Sequence, residues 1–177
     1  MLDLFGQPAL PGLQMADNIV SPDRQCSLEQ RCAELEMEPY RHQGYEGKRL
    51  VRRFGWDPEG GGGPIPDWLI EPRDAAARAF GRDAKRFDQA LVIRYDPGAG
   101  IGWHRDRPPY REVIGVSLGA PAEMAFRRRR EDGKFERLKI PLTPGSAYLL
   151  SGPARSDWQH GIATHAGLRF SLTFRSR

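Results

Sequence analysis

His104 and Asp106 stand two residues apart, and that pair is the strongest chemical signal in the sequence. They close the stretch Leu91 to Asp106, which reads as a strand, a proline-glycine loop and a second short strand. On an extended chain residues i and i+2 point to the same side, roughly 7 Å apart at the backbone, so one metal ion can be gripped by both. An imidazole and a carboxylate that leave coordination positions open suit iron held by two histidines and one carboxylate. A distant histidine has to complete the set. The chain has four histidines. His160 and His165 are the candidates for the third ligand, with His165 expected in an exposed loop and His42 disfavoured by its place in the N-terminal half.

The closing segment, Leu168 to Arg175, is the second informative stretch. Its alternation puts Leu168, Phe170, Leu172 and Phe174 on one face and Arg169, Ser171, Thr173 and Arg175 on the other. The two arginine backbones would lie roughly 20 Å apart. With each guanidinium reaching ~7 Å along the strand, the remaining gap is close to the carboxylate separation in a five-carbon diacid, and arginine's planar fork binds carboxylate through two hydrogen bonds. A strand whose polar face looked only into solvent would show the same pattern.

The elements that must position these groups follow in order. Ser21-Pro22-Asp23 starts a helix, with Ser21 as N-cap. From Arg41 to Trp56 basic and aromatic residues alternate as in a strand pair. That segment fits either an edge hairpin with solvated arginines or a substrate flap, in which Arg52 and Arg53 meet phosphates and Tyr45 or Trp56 stacks on a base. The run Gly60 to Gly63 is expected to be a loop able to move over a site. A helical stretch from Asp67 to Phe80 precedes a strand-rich half. There, Ala122 to Arg130 and Phe135 to Leu142 form a hairpin around Asp132-Gly133. Its run Arg127 to Arg130 is either a charged edge that prevents strand addition or a rim that contacts phosphates. Trp158 shares strand parity with His160, and fits the core better than a pocket wall. Helices first and then at least seven short strands predict an α+β domain whose sheets form a sandwich or jelly roll.

The 177 residues suit one domain, divided into an N-terminal helical and flap region (1–90) and a jelly-roll core (91–177). With 39% apolar and 28% charged residues, and no apolar run near the ~20 residues of a membrane helix, a membrane protein is not expected. The start lacks the basic and long apolar segments of a secretory signal, which predicts a cytoplasmic protein. Cys26 and Cys32 lie on different faces of a helix, and no disulfide is expected between them. The formal charge of +4 leans toward an anionic partner such as nucleic acid. The chain is expected to act as a monomer.

From about Leu91 to Arg175 the chain resembles the AlkB family of iron(II)- and 2-oxoglutarate-dependent dioxygenases. The resemblance rests on Arg94-Tyr95-x-Pro97-Gly98-Ala99-x-Ile101-x-x-His104-x-Asp106, the strand end Ser117-Leu118-Gly119, Gly152-x-x-Arg155 running on to His160-Gly161-Ile162, and the segment Arg169 to Arg175. It implies a double-stranded β-helix, iron on His104, Asp106 and His160, O₂ as co-reactant, and 2-oxoglutarate held by Arg169 and Arg175 with help from Tyr95 and Ser171. Arg169 is assigned the distal carboxylate and Arg175 the metal end. The implied activity is oxidative demethylation of alkylated bases in DNA or RNA, as in DNA repair, releasing formaldehyde, succinate and CO₂. Ile93 and Ser171 stand where many nucleic-acid demethylases of the family carry Asn, and Pro108 stands where they often carry a second acidic residue. An oxygenase acting on a protein side chain or small metabolite is therefore the alternative. A non-catalytic nucleic-acid-binding module is a third, which the metal-ligand pattern opposes.

Overall fold

The computed structural model describes residues 10–42, 45–58, 60 and 62–177, without the side chains of His42 and Tyr45. In chain order the elements are β1 (Leu13–Ala16), α1 (Pro22–Ala33), β2 (Glu38–His42), β3 (Tyr45–Gly55), α2 (Asp67–Ala79), β4 (Gln89–Tyr95), β5 (Ile101–His104), β6 (Val113–Gly119), β7 (Ala122–Arg129), β8 (Phe135–Leu142), β9 (Ala147–Leu150), α3 (Gly152–Ser156), β10 (Gln159–Ile162) and β11 (Arg169–Arg175). They form a seven-stranded sheet in the order β1-β9-β6-β11-β4-β3-β2 and a four-stranded sheet in the order β5-β10-β7-β8. All the strand pairings within the two sheets are antiparallel. The two sheets face each other as the double-stranded β-helix that the strand pattern predicts, with α1 and α2 on the outside.

Strand β11 shows why the alternation matters. It lies between β4 and β6, and every residue from Arg169 to Phe174 is buried. Phe170, Leu172 and Phe174 join Leu28, Cys32, Leu69 and Ala76 in the layer between the large sheet and the helices. Each such side chain contributes about 1.5–3 kcal/mol by leaving water. Its other face turns inward, beside a second apolar layer between the sheets built on Leu91, Ile93, Met124, Phe126, Tyr148 and Trp158. Arg169, Ser171, Thr173 and Arg175 are thus polar residues placed inside the sandwich. Trp158 belongs to this core, as its flanking sequence favours.

Strands β2 and β3 extend the large sheet directly from β4, and β1 closes its opposite edge against β9. The strand pair predicted after Arg41 is therefore part of the sandwich wall. Ser21 occupies the N-cap position of α1 with extended backbone, Pro22 follows at the first helical position, and no side-chain cap bond forms. Gly133, at φ 79°, permits the turn between β7 and β8. Of the glycine run, Gly63 bridges to Phe54, and its carbonyl accepts from the Gly55 amide at 2.6 Å. Cys26 is exposed, Cys32 is buried, and both are free. Among the described residues, no helix is long and apolar enough to cross a membrane.

Candidate metal and cosubstrate site

Strand β10 lies between β5 and β7, and its register places His160 directly opposite His104. Their ring centroids are 4.3 Å apart. Asp106 follows β5 by two residues, and its Oδ2 lies 3.5 Å from His160 Nε2. One ligand atom from each of the three residues falls within 4.8 Å of the others. His104 Nδ1 is 2.9 Å from the Gly102 carbonyl, which fixes the proton on Nδ1 and leaves the Nε2 lone pair available. Burial, the largest influence, lowers the His104 pKa and takes that of His160 down to about 4. Burial would raise Asp106, but Arg175, then His160, His104 and Arg155, outweigh it and hold the carboxyl down to about 2. At neutral pH the cluster is therefore two neutral imidazoles and one carboxylate. A divalent cation needs that proton-free donor set, so the residues fit a metal ion.

The two arginines of β11 have different surroundings. Arg169 is fully buried, and its Nη2 donates to Ser117 Oγ at 3.1 Å. Its Nε and Nη1 have no partner, and no carboxylate pairs with it among the described residues. The ring of Tyr95 lies 5.1 Å from its guanidinium carbon. A buried cation without a counter-ion costs several kcal/mol, so this cradle fits the carboxylate of a ligand. Arg175 instead donates to Asp106 Oδ1 at 3.2 Å and to Gln89 Oε1 at 3.1 Å. It sits beside the His-Asp-His cluster, and the carboxylate it holds belongs to the protein. Between the two, Ser171 and Thr173 face a cavity of about 100 Å³ that His104, Asp106 and His160 also line.

The flap residues divide. Strand β3 turns Arg49 and Arg53 toward this cavity, where Arg53 pairs with Glu38 at 3.1 Å and Asp57 at 3.6 Å. Arg52 is exposed and pairs in register with Val92 on the helix side of the sheet, so it cannot reach the site. Trp56 packs edge-on against Tyr110, with ring centroids 6.0 Å apart, and supports the wall from behind. The Tyr45 side chain lies outside the described residues. His165 is half-buried, its Nδ1 bonded to the Gly167 carbonyl at 2.8 Å, and it stands apart from the metal cluster.

Four contributors carry no assigned role in the sequence pattern. Arg155 is buried, acts on Asp106 through its charge, and donates to the Arg107 carbonyl. Its fixed distance before His160 was the available signal. Tyr148 lies across Gly115, where an added Cβ would meet the ring at 2.2–2.4 Å, and burial pushes its phenol pKa up. Only the cross-strand register of β6 and β9 reveals that pairing. Arg49 stacks on Tyr40 with its guanidinium carbon 3.8 Å from the ring centroid, and Tyr110 lies 5.0 Å from that of Arg175. The spacing Arg49-x-Val51-x-Arg53 was the signal for the inward face of β3.

The profile of the 2OG-Fe(II) oxygenase superfamily matches residues 12–175. "Uncharacterized protein L905" of Acanthamoeba polyphaga mimivirus is 27% identical over 193 residues, covering 94% of this chain and 85% of the relative. "DNA oxidative demethylase ALKBH2" of Mus musculus is 30% identical over 120 residues, covering 60% of this chain and 49% of the relative, so that match spans about half the mouse protein. The solved structure of OsALKBH1 superposes with a TM-score of 0.71 at 20% identity, covering 96% of this chain and all of that one, a likeness of fold. The chain belongs to the 2OG-Fe(II) oxygenase superfamily and is a dioxygenase that uses Fe(II), 2-oxoglutarate and O₂.

Proposed function

We propose that His104, Asp106 and His160 hold the iron, that Arg169 with Ser117 and Tyr95 receives the distal carboxylate of 2-oxoglutarate, and that the enzyme demethylates alkylated bases in nucleic acid. The observation that carries the site assignment is the pairing of a converged His-Asp-His cluster with a buried Arg169 that has two unmatched donors. Support for the substrate comes from the likeness to a DNA oxidative demethylase and from Arg49 and Arg53 on the cavity wall.

His104, Asp106 and His160 would hold the iron, which would supply the activation of O₂ that couples decarboxylation of 2-oxoglutarate to hydroxylation of a nearby C–H bond. The protein's part is positioning. Arg169 fixes one end of the diacid by charge-assisted hydrogen bonds, which aims its 2-oxo acid end at the cluster. Arg175 keeps Asp106 ionised and pinned, and burial keeps both imidazoles neutral. One oxygen atom of O₂ enters succinate, with loss of CO₂, and the other enters the N-methyl group. The N-hydroxymethyl product then breaks its C–N bond, giving formaldehyde and the unmodified base.

The test is anaerobic loading with Fe(II) and 2-oxoglutarate, followed by exposure to O₂ with methylated DNA and RNA oligonucleotides. Stoichiometric formaldehyde and succinate, both lost in His104→Ala, are expected. Turnover of 2-oxoglutarate with no formaldehyde from any oligonucleotide would move the substrate to a protein side chain or small metabolite, for which Pro108 and the loose match of the N-terminal half to the AlkB family argue. Full activity in His104→Ala would overturn the metal assignment.

A further inference from the structure

The inner face of the small sheet carries His104, His160 and Phe126, and its outer face carries a different chemistry. Strict alternation puts Trp103, Gln159, Arg127, Arg129 and Arg137 on that outer side, with Phe135 opposite Arg129. Trp103 and Phe135 are exposed to 40% and 42%, unusual for large apolar side chains. The guanidinium of Arg127 lies between them, 4.5 Å from the Trp103 ring and 4.9 Å from the Phe135 ring. Gln159 holds it there by accepting from Arg127 Nε at 2.8 Å. No carboxylate pairs with Arg127, Arg129 or Arg137 among the described residues, whereas neighbouring Arg128 and Lys139 are paired with Glu136 and Glu123.

Trp103 also borders a groove of about 490 Å³ with a floor of small residues, including Gly100, Gly102, Ala125 and Gly161. That groove shares Arg49, Ile101 and Ile162 with the catalytic cavity, so the two are neighbours. A chain lying in it passes the Trp103 ring, beside which the Arg127 guanidinium stands, and a floor of small residues.

The geometry points to the outer face of the small sheet, centred on Trp103 and Arg127, as a platform for single-stranded nucleic acid flanking the base that enters the cavity. This rests on the nucleic-acid reading above and adds where the strand runs. Flat rings interleaved with cations match alternating bases and phosphates, because every base offers a π-face and every linkage a charge. An acidic peptide would answer the charges and leave Trp103 and Phe135 unused.

The test uses the intact chain loaded with Mn(II) and a labelled, unmodified oligo(dT) of about 15 nucleotides. Binding is read by fluorescence anisotropy across a salt series. Trp103→Leu is expected to weaken binding about tenfold, and Trp103→Phe, which keeps a flat ring, to retain most of the affinity. The double variant Arg129→Ala/Arg137→Ala should lower the slope of log K against log salt by about 1.4, for two phosphate contacts at about 0.7 each. Thermal midpoints check folding. If Trp103→Leu fails to fold, the arginine pair decides. Wild-type affinity in Trp103→Leu and a wild-type salt slope in the arginine double variant, in a protein that still demethylates oligonucleotides, would overturn the platform and leave the proposed function standing. A wild type that neither binds nor acts on any oligonucleotide would fail both. Competition by a polyglutamate peptide with the same dependence on Trp103 would also overturn the assignment.

Discussion

Arg169 and Arg175 point from the same face of one strand, yet the first meets a neutral hydroxyl and has two idle donors, while the second is clamped between Asp106 and Gln89. Both are cations inside the sandwich, where an unpaired charge is expensive. The difference shows how the site divides its labour. At one end the protein has satisfied its own charge and fixed Asp106, the proposed metal ligand. At the other it keeps a charge unsatisfied, which a dicarboxylate would neutralise.

Substitutions along this axis can break the comparison. The largest effect is expected for Asp106→Ala, which removes a donor and leaves Arg175 buried and unpaired. Turnover should vanish, and metal affinity should fall by more than the roughly 100-fold upper end seen for outer partners of metal ligands; calorimetric titration with Mn(II) checks this. Arg169→Met comes next. Truncating one partner of a buried charge pair costs about 2–5 kcal/mol, so the KM for 2-oxoglutarate should rise at least about 30-fold while Mn(II) affinity holds. The ligand-free variant should be as stable as wild type or more so, because a lone buried charge is gone, and urea unfolding reads this directly. Arg175→Met should do the opposite. Metal affinity falls about 10- to 100-fold, and ligand-free stability drops by about 3 kcal/mol as Asp106 loses its principal partner.

The smallest effect sharpens the contrast through pH. Because burial lowers His160 to about 4, its folded pKa lies below the ordinary value near 6.5. Its contribution to ligand-free stability is therefore full above pH 6.5 and declines as pH falls toward 4, where the unfolded chain takes up a proton that the folded one refuses. Urea midpoints should fall over that window in wild type, and the fall should be shallower in His160→Gln. Equal slopes in the two proteins would show that the imidazole is not buried as described.

Much of the site was legible because its pieces are local. His104 and Asp106 share a face by the period of a strand, and the alternation of β11 divides its apolar and polar sides without reference to the rest of the molecule. What alternation cannot supply is which anion each arginine meets. That depends on where β4 places Gln89 and on where the chain after β5 places Asp106. The choice between His160 and His165 likewise waits on the register of β10 against β5, a contact between residues more than fifty apart. Arg52 and Arg53 are neighbours that part to opposite faces, and only the pairing of β3 with β4 says which turns inward. Where the strand pair after Arg41 would sit was out of reach for a related reason. Short strands bury their apolar faces only in company, and the company of β2 and β3 is the large sheet.

The central claim is that His104, Asp106 and His160 take the iron and that Arg169, buried on the same strand face as Ser171 and Thr173, takes the distal carboxylate of the diacid. A crystal structure of the protein grown anaerobically with Mn(II) and 2-oxoglutarate tests it most directly. The account predicts metal on His104, Asp106 and His160, and a ligand carboxylate against Arg169 Nε and Nη1. Metal bound elsewhere, or a ligand whose distal carboxylate lies away from Arg169, would contradict it.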